Sequence, residues 1–277
     1  MKAKILDGKK LSESILNSLK KEIKKRRLKL RLAVVLAGNN PASKIYIRKK
    51  AEACRKIGIG FKLYIFRERI GERDLKKEIG KIARDPGISG IIIQLPLPFS
   101  DPKKIQDILN TVPPEKDADV LSENNFEKFS KGRLKIMPPT VGAVVALLRK
   151  YGISLKGKYV VIVGAGRLVG KPLAIWMALQ KANFSILDKN TEDLSCFTKK
   201  ADILISGVGK PDLIKGEMVR EGAVVIDVGI SKKNGKTLGD VNFKSVSKKA
   251  SFITPIIGGV GPMTVACLIE NLIKLNR

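Results

Sequence analysis

Short apolar runs alternate with amphipathic stretches along the first half of the chain. The apolar runs predict buried parallel strands at residues 32–36, 61–65 and 88–95. The amphipathic stretches predict helices at residues 11–30, 42–57, 75–83 and 102–109. Residues 111–139 follow neither pattern and are bounded by proline, so we predict loops there. Alternation of strand and helix predicts a parallel sheet.

The same alternation fills the second half of the chain. A predicted helix at residues 141–151 precedes strands at residues 159–163, 184–187, 202–205, 223–228 and 252–253. A last helix is predicted at residues 263–275. Because the chain has 277 residues, which suits two modest domains, we expect an α/β fold of two domains.

A glycine-rich turn follows the predicted strand at residues 159–163. Strand, glycine turn and helix are the context of a dinucleotide-binding fingerprint. Gly164 would allow the tight turn, Gly166 would let backbone approach a pyrophosphate, and Gly170 would let the helix lie close on the sheet. The G-x-G-x-x-x-G spacing is looser than the standard one, so an ordinary βα turn without a ligand stays open as an alternative.

An acidic residue supports the dinucleotide interpretation. Asp188 ends the next predicted strand, where a carboxylate can accept hydrogen bonds from the adenosine ribose and would repel a 2′-phosphate. This favours NAD over NADP, although Lys189 and Arg167 are near in sequence and could hold a phosphate. We therefore predict a Rossmann-like NAD(P)-binding domain at residues 140–262. Residues 1–139 would form an N-terminal α/β catalytic domain, on which the C-terminal helix, residues 263–277, packs back.

The composition excludes several classes of protein. The chain is 44% hydrophobic and 29% charged, as globular proteins are, and no apolar run approaches the roughly 20 residues that span a membrane. The N-terminus lacks a signal-peptide core, and Cys54, Cys196 and Cys267 are far apart, so we expect reduced thiols in a cytoplasm and no metal site. Because there is no histidine, acid–base chemistry must use Lys, Tyr, Asp, Glu or water.

The formal net charge of +28 is extreme and suggests a nucleic-acid or anionic-membrane partner. However, the lysines are scattered along helical faces, aromatic residues make up only 5%, and no stacking platform is visible. We therefore favour solvated helix faces over a nucleic-acid site and expect no membrane partner. A milder consequence of the charge would be attraction of polyanionic substrates.

Candidate catalytic groups lie in the first half of the chain. Tyr46 and Lys50 are four residues apart on a predicted helix and share a face, so they could form a proton-handling pair. Gln94 ends a buried strand at its carboxyl end, where open α/β sheets place ligands. Asp117 and Asp119 offer two carboxylates on a loop. Each of these groups also has a purely structural alternative. Tyr46 and Lys50 could lie on a solvated helix face, and Gln94 could cap a loop. Asp117 and Asp119 could serve turn chemistry.

Specific motifs run in order along nearly the whole chain. In the first half they are Leu6-Asp7-Gly8-Lys9, Asn40-Pro41-Ala42-Ser43 with Tyr46 and Lys50, Gly90-Ile91-Ile92-Ile93-Gln94-Leu95-Pro96-Leu97-Pro98, and Pro114-Glu115-Lys116-Asp117-Ala118-Asp119. In the second half they are Val169-Gly170-Lys171-Pro172, Gly207-Val208-Gly209-Lys210-Pro211, Val225-Ile226-Asp227-Val228-Gly229-Ile230, and Gly258-Gly259-Val260-Gly261-Pro262-Met263-Thr264. This set resembles the bifunctional methylenetetrahydrofolate dehydrogenase/methenyltetrahydrofolate cyclohydrolase family, and its Gln94 and Gly258 motifs are highly specific.

The resemblance implies roles for individual residues. Lys50 would be the catalytic lysine, Tyr46 would stack on the folate, Gln94 would hold and tune the lysine, and Asp119 would grip the pterin ring. It implies that the folate site also includes Leu95, Pro96, Gly258, Gly259, Gly261 and Pro262. It implies that the cofactor contacts are Gly164, Ala165, Gly166, Val169, Gly170, Gly207, Val208, Gly209 and Ile230, with Asp188 added from the ribose argument.

The chain departs from the family's pattern at four places. Gly164-Ala165-Gly166 replaces the usual Gly-Arg-Ser, whose arginine and serine help to hold a 2′-phosphate, so NAD is again favoured. Pro138-Pro139-Thr140-Val141 replaces Pro-Cys-Thr-Pro. Val120 replaces a glycine, and we expect its loop to turn differently. Ile257 replaces a proline before the double glycine, and both Val120 and Ile257 lie beside the expected folate site.

The resemblance implies an enzyme with two activities. It would oxidise 5,10-methylenetetrahydrofolate with NAD(P)+ and hydrolyse the methenyl product to 10-formyltetrahydrofolate in one-carbon metabolism. It would be a homodimer that pairs through its nucleotide domain, take a folate that can carry a polyglutamate tail, and need no metal. Two alternatives are a monofunctional enzyme and a basic nucleic-acid-binding protein on an enzyme scaffold. A short-chain Y-x-x-x-K oxidoreductase is disfavoured because there the tyrosine and lysine follow the glycine turn.

Overall fold

The computed structural model describes residues 3–233 and 236–277. The chain divides into two compact units, one of Glu13–Pro139 with Val265–Arg277 and one of the residues up to Ser12 with Thr140–Thr264. We name them, after their sheets, the three-stranded unit and the six-stranded unit. The predicted α/β fold of two domains is confirmed. None of the helices in the described residues is long and apolar enough to cross a membrane.

The described residues form strands and helices in alternation. The strands are β1 (Lys4–Ile5), β2 (Arg31–Ala37), β3 (Gly60–Phe66), β4 (Gly90–Ile93), β5 (Tyr159–Val163), β6 (Asn183–Leu187), β7 (Ile203–Ser206), β8 (Val224–Asp227), β9 (Ser231–Lys233), β10 (Lys236–Leu238) and β11 (Phe252–Ile253). The helices are α1 (Gly8–Arg26), α2 (Pro41–Ile57), α3 (Glu72–Arg84), α4 (Pro102–Leu109), α5 (Glu123–Ser130), α6 (Pro139–Lys150), α7 (Gly170–Leu179), α8 (Leu194–Thr198), α9 (Phe243–Val246) and α10 (Val260–Leu275). Two short 3₁₀ turns cover Pro114–Lys116 and Gly216–Met218.

The three-stranded unit is built around β2, which pairs in parallel with β3 on one side and β4 on the other. Because side chains alternate across a strand, β2 contributes to two apolar clusters. Leu32, Val34 and Leu36 pack with apolar residues of α1, α2 and α10. Ala33, Val35 and Ala37 pack with apolar residues of α3 and α4. The sheet is therefore covered on both faces, which fixes the carboxyl end of β4.

The six-stranded unit contains a parallel sheet of order β1-β11-β8-β7-β5-β6. Val161, Val163, Leu204 and Val225 from its central strands share one buried cluster. A separate antiparallel pair joins β9 to β10. Parallel strands buried on both faces explain why β5, β7 and β8 are almost continuously apolar in sequence.

Two of the differences between the local predictions and the structure have a clear physical cause. The loop predicted at residues 111–139 contains helix α5, which Ser122 caps by accepting a hydrogen bond from the Asn125 backbone N–H. Most of this helix is polar, so its pattern gave no periodic signal. The boundary predicted at residues 1–139 also differs, because β1 pairs with β11 and joins the N-terminal residues to the six-stranded unit. A two-residue strand has too few residues to show alternation.

Asn271 on α10 ties two loops of the three-stranded unit together. Its side chain is 4% exposed. Its Nδ2 donates to the Ala118 carbonyl at 2.9 Å and to the Met137 carbonyl at 2.7 Å. Both carbonyls lose a donor if this amide is removed.

Asn271→Ala should lower the free energy of unfolding by about 3 kcal/mol, because two carbonyl groups would lose their buried donor. Glu270→Ala on the same helix is the control, since it removes only the surface pair with Lys274 and should cost less than about 1 kcal/mol. Chemical denaturation followed by circular dichroism measures both changes. Equal losses in the two variants would contradict the tying role of Asn271.

Candidate functional site

Helix α2 carries Tyr46 and Lys50 on one face. The Asn40 side chain caps the helix by accepting hydrogen bonds from the backbone N–H groups of Ala42 and Ser43, at 2.9 and 3.1 Å. Tyr46 is half-buried, whereas Lys50 is only 9% exposed. The alternative of a solvated helix face therefore does not describe Lys50.

The Lys50 amine is held by Gln94 at the end of β4. Lys50 Nζ donates to Gln94 Oε1 at 3.0 Å. The Gln94 amide is fixed from its other end as well, because its Nε2 donates to the Leu95 carbonyl at 2.9 Å. Ser43 Oγ donates to the same carbonyl at 3.3 Å and so links α2 to the segment that begins with Gln94 and Leu95. Both atoms of the amide are thus committed, and its oxygen faces the lysine.

Burial changes the ionisation of this group of side chains. It lowers the pKa of Lys50, because the ammonium form loses its water, while the charge of Asp119 acts in the opposite direction. Burial raises the pKa of Asp119, and Lys50 partly offsets that effect. Burial also raises the pKa of Tyr46. The Lys50 ammonium therefore loses its proton more readily than the ammonium of a solvated lysine.

The two carboxylates of the Asp117-Ala118-Asp119 segment have different surroundings. Asp117 is 3% exposed and accepts hydrogen bonds from Ser122 Oγ at 2.6 Å, from the Ser122 N–H at 2.9 Å and from the Leu121 N–H at 3.2 Å. It therefore serves the turn chemistry that we gave as the structural alternative. Asp119 is half-buried and interacts electrostatically with Lys50.

Two departures from the family's pattern take distinctive positions. Val120 is fully buried and has φ +57°, a left-handed conformation that is unfavourable for a β-branched residue and natural for glycine. Its loop thus takes a conformation that suits the replaced glycine. Ile257 is 79% exposed and directly precedes Gly258, which has φ +89°.

The Gly8 and Gly258 motifs meet in the six-stranded unit. The Lys9 N–H donates to the Gly258 carbonyl at 2.7 Å. A Cβ on Gly8 would overlap the Gly259 carbonyl oxygen, so the start of α1 needs glycine to lie this close. Gly261 and Pro262 belong to the first turn of α10, and a Cβ on Gly261 would lie 3.9 Å from Ile230 Cδ1.

The glycine turn has the local geometry on which its predicted roles depend. Gly164 has φ +101°, and its N–H donates to the Leu187 carbonyl at 2.7 Å. A Cβ on Gly170 would overlap the Gly164 carbonyl oxygen, so this glycine lets α7 approach the turn closely. No atom lies within 4 Å of a Cβ placed on Gly166, so its backbone is approachable. A Cβ on Gly207 would overlap the Val169 side chain. The loop that begins at Gly207 therefore lies directly against the glycine turn.

The remaining predicted cofactor residues lie on the surface of the six-stranded unit. Ala165 is exposed, and Val208 and Ile230 are 46% and 39% exposed. Asp188 is exposed too, and its Oδ1 accepts a hydrogen bond from the Asn190 N–H at 2.9 Å. Asp188 thus makes a local turn, and its carboxylate also faces solvent.

Sequence reasoning assigned no role to Asp227 and Asp240, two buried carboxylates of the six-stranded unit. They are 7% and 0% exposed. Burial raises the pKa of Asp227 to about 7, against the effect of a hydrogen bond from the Val241 N–H, and the charge of Asp240 raises it further. An aspartate after a strand is common in turns, so no sequence signal separates these two from others. Within the described residues, no group of three potential ligands could hold a metal ion.

Two family models match the chain. The tetrahydrofolate dehydrogenase/cyclohydrolase catalytic domain matches residues 6–119, and the NAD(P)-binding domain of the same name matches residues 138–277. A bifunctional protein FolD from Hydrogenobaculum sp. is 47% identical over 275 residues, which cover 99% of this chain and 98% of the relative. A bifunctional protein FolD from Aquifex aeolicus is 45% identical over 279 residues, covering 98% and 94%.

Solved structures match equally completely. The bifunctional enzyme FolD from Campylobacter jejuni is 40% identical and superposes with a TM-score of 0.93, covering 99% of this chain and 98% of that one. The Trypanosoma brucei methylenetetrahydrofolate dehydrogenase-cyclohydrolase, which was solved with NADP and an inhibitor, is 32% identical. Its TM-score is also 0.93, with coverage of 99% and 97%.

Proposed function

Because the chain belongs to the tetrahydrofolate dehydrogenase/cyclohydrolase family, we propose that it performs both reactions of that family at sites that we assign below. It oxidises 5,10-methylenetetrahydrofolate with a nicotinamide cofactor and hydrolyses the methenyl product to 10-formyltetrahydrofolate. The two predicted activities are confirmed by full-length relatives named as bifunctional proteins. These matches do not support the monofunctional or nucleic-acid-binding alternatives.

The hydrogen bond between Lys50 and Gln94 carries the assignment of the hydrolytic site. Hydrolysis requires water to attack the methenyl carbon and a base to take a proton from that water. Lys50 can be this base because burial favours its neutral form, and a bound methenyl cation would disfavour the ammonium further. Gln94 orients the amine without adding charge. Leu95 and Pro96 continue the wall of this site.

Tyr46 and Asp119 would hold the substrate. The half-buried ring of Tyr46 can stack on the pterin, with the Lys49 amine over the ring at 5.9 Å from its centroid. The carboxylate of Asp119 can accept two parallel hydrogen bonds from the pterin amino and ring N–H groups. We also assign folate contacts to Gly258, Gly259, Gly261 and Pro262, whose support is the motif resemblance.

The glycine turn and the loop at residues 207–209 would bind the cofactor. The nicotinamide, when bound, accepts a hydride from the one-carbon bridge of the folate. The protein's contribution is positioning: Gly164 and Gly170 shape the turn, and Gly166 leaves backbone open to the pyrophosphate. The exposed side chains of Val208 and Ile230 offer apolar contact to the cofactor.

We propose NAD as the preferred cofactor. Asp188 places a carboxylate after β6, and Gly164-Ala165-Gly166 lacks the arginine and serine that hold a 2′-phosphate in the family's usual pattern. The hydrogen bond from the Asn190 N–H leaves Asp188 Oδ2 with only a 3.4 Å contact to Asn190 Nδ2. That oxygen can accept a hydrogen bond from a ribose hydroxyl group.

The location and assembly of the chain are also proposals. Three free cysteines, two of them buried, suit a reducing compartment, so we propose a cytoplasmic enzyme. We propose a homodimer that pairs through the six-stranded unit. Its edge strand β6 leaves Ile186 37% exposed, and Leu179 on α7 is 39% exposed. The net charge of +28 would favour a polyglutamylated folate.

Lys50→Met should lower the rate of methenyl hydrolysis at least about 100-fold, because the proton acceptor is lost. Dinucleotide binding, measured by fluorescence titration, should not change. Lys56→Met is the matched control, since Lys56 is an exposed lysine of the same helix to which no role in the site is assigned, and it should retain hydrolysis within a few-fold. Full hydrolysis by the Lys50 variant would remove Lys50 from this role.

Gln94→Glu should move the pH profile of hydrolysis to higher pH. A carboxylate beside Lys50 stabilises the ammonium and raises the pKa of Lys50 by about one unit or more, so less neutral amine remains at a given pH. The rising limb of the rate, measured by absorbance of the methenyl substrate, should therefore shift alkaline by a similar amount. An unchanged profile would show that the Lys50 amine does not set the rate.

Asp188→Ser should raise the ratio of kcat/KM with NADP+ to kcat/KM with NAD+ about tenfold or more, since it removes the charge that repels a 2′-phosphate. Glu192→Ser, which removes another exposed acid from the same loop, should leave the ratio nearly constant. Initial rates of dehydrogenation with both cofactors measure the effect. If the ratio stays constant in the Asp188 variant, Asp188 serves only the turn to Asn190.

A further inference from the structure

The carboxylate of Asp240 lies beneath the loop at residues 207–209. Its Oδ2 accepts hydrogen bonds from the Val208 N–H at 2.6 Å and from Ser206 Oγ at 2.8 Å. Its Oδ1 accepts one from the Gly209 N–H at 2.8 Å. One fully buried side chain therefore binds two of the three backbone N–H groups of the loop, and the three groups that hydrogen-bond to it are all donors.

Asp240 is itself held by Asp227, which ends strand β8. Asp227 Oδ1 accepts hydrogen bonds from the Gly229 N–H at 3.0 Å and from the Asp240 N–H at 3.2 Å. Its Oδ2 accepts one from the Val241 N–H at 3.0 Å. Ser206 at the end of β7 is the register partner of Asp227 in the sheet. The chain of hydrogen bonds thus runs from β8 through Asp240 to the loop that follows β7.

Two glycines permit this arrangement. A Cβ on Gly229 would overlap the carboxyl group of Asp240, and a Cβ on Gly239 would overlap the carboxyl group of Asp227. The carboxylate of Asp240 therefore fills the space that a side chain at position 229 would need. The carboxylate of Asp227 fills the space that a side chain at position 239 would need. Such close contact leaves Asp240 little freedom to move away from the loop.

The loop that Asp240 binds is packed against the glycine turn. A Cβ on Gly164 would lie 2.9 Å from the Gly207 carbonyl oxygen, and Gly207 contacts the Val169 side chain closely. Gly209 has φ +79°, a conformation that its hydrogen bond to Asp240 helps to retain. The position of Val208 relative to the turn depends on these contacts.

We propose that Asp240 is a positioning residue for the dinucleotide, acting by holding the Val208 and Gly209 amides so that their loop presents a fixed surface beside the glycine turn. The proposal rests on the assignment of residues 207–209 to the cofactor site. Asp240 would contact no reacting atom. Its loss should therefore weaken cofactor binding while leaving the rate at saturating cofactor largely intact.

Asp240→Asn tests the proposal with almost no change in volume. The amide has one acceptor oxygen where the carboxylate has two. Its NH₂ group cannot accept a hydrogen bond, yet it would face N–H or O–H donors. We expect KM for NAD+ and the Kd of NAD+ to rise at least tenfold, with kcat changing less than threefold. Ser206→Ala is the control, because it leaves both bonds to the loop amides, and it should change KM less than twofold.

Gly229→Ala gives an independent test if the Asp240 variant does not fold. The added methyl group must displace the carboxylate of Asp240 while all its chemistry is retained, so KM for NAD+ should again rise. Methenyl hydrolysis, which uses no dinucleotide, separates the possible causes, since general loss of structure lowers both activities together. An unchanged KM in folded Asp240→Asn, or equal losses of both activities, would overturn the proposal. If the parent enzyme binds no dinucleotide, the proposed cofactor site itself is wrong.

Discussion

The burial of one lysine amine against a neutral amide is the interaction on which the proposed hydrolytic site depends. An ammonium group out of water is costly unless a carboxylate pairs with it directly, and here the Lys50 amine donates its hydrogen bond to the neutral amide of Gln94 instead. The three-stranded unit supplies the geometry: the Asn40 cap fixes the start of α2, and the parallel sheet fixes the end of β4. The charge of Asp119 acts in the opposite direction to burial, because it raises the pKa of Lys50.

The cofactor side depends on a different constraint, which is close approach of backbone to backbone. Gly164 and Gly170 let backbone lie against backbone in the glycine turn and at the start of helix α7, and Gly207 lets a second loop lie close on the Val169 side chain. The buried carboxylate of Asp240 then accepts hydrogen bonds from the Val208 and Gly209 N–H groups of that second loop. The three-stranded unit thus depends on a lysine whose pKa is lowered by burial, whereas the six-stranded unit depends on the conformation of its backbone.

Most of the fold could be predicted from the sequence because apolar periodicity reports burial directly. Strand β5 and helix α4 have the predicted bounds, since β5 is a continuous apolar run and α4 has its apolar residues at helical spacing. Helix α5 and strand β1 were missed for physical reasons: the former is polar and depends on its Ser122 cap, and the latter has two residues stabilised by a distant partner.

The site was predictable in its parts but not in its energetics. The family resemblance predicted Lys50 and Gln94 in one site, but only the folded chain shows the amide oxygen directed at the amine. Val120 was noticed as a replaced glycine, yet its positive φ depends on the surrounding loop. Asp240 gave no signal at all, because its function arises from donors on a segment more than thirty residues earlier in the chain.

The ionisation of Lys50 is the central claim, and it can be measured directly. Isotope-detected NMR of the lysine side chains, with Lys50→Met to assign the signal, would follow the amine through a pH titration. The account predicts a pKa for Lys50 clearly below the ordinary value of about 10.4. A pKa for Lys50 at or above the ordinary value would contradict it, because a fully charged ammonium could not take a proton from the attacking water.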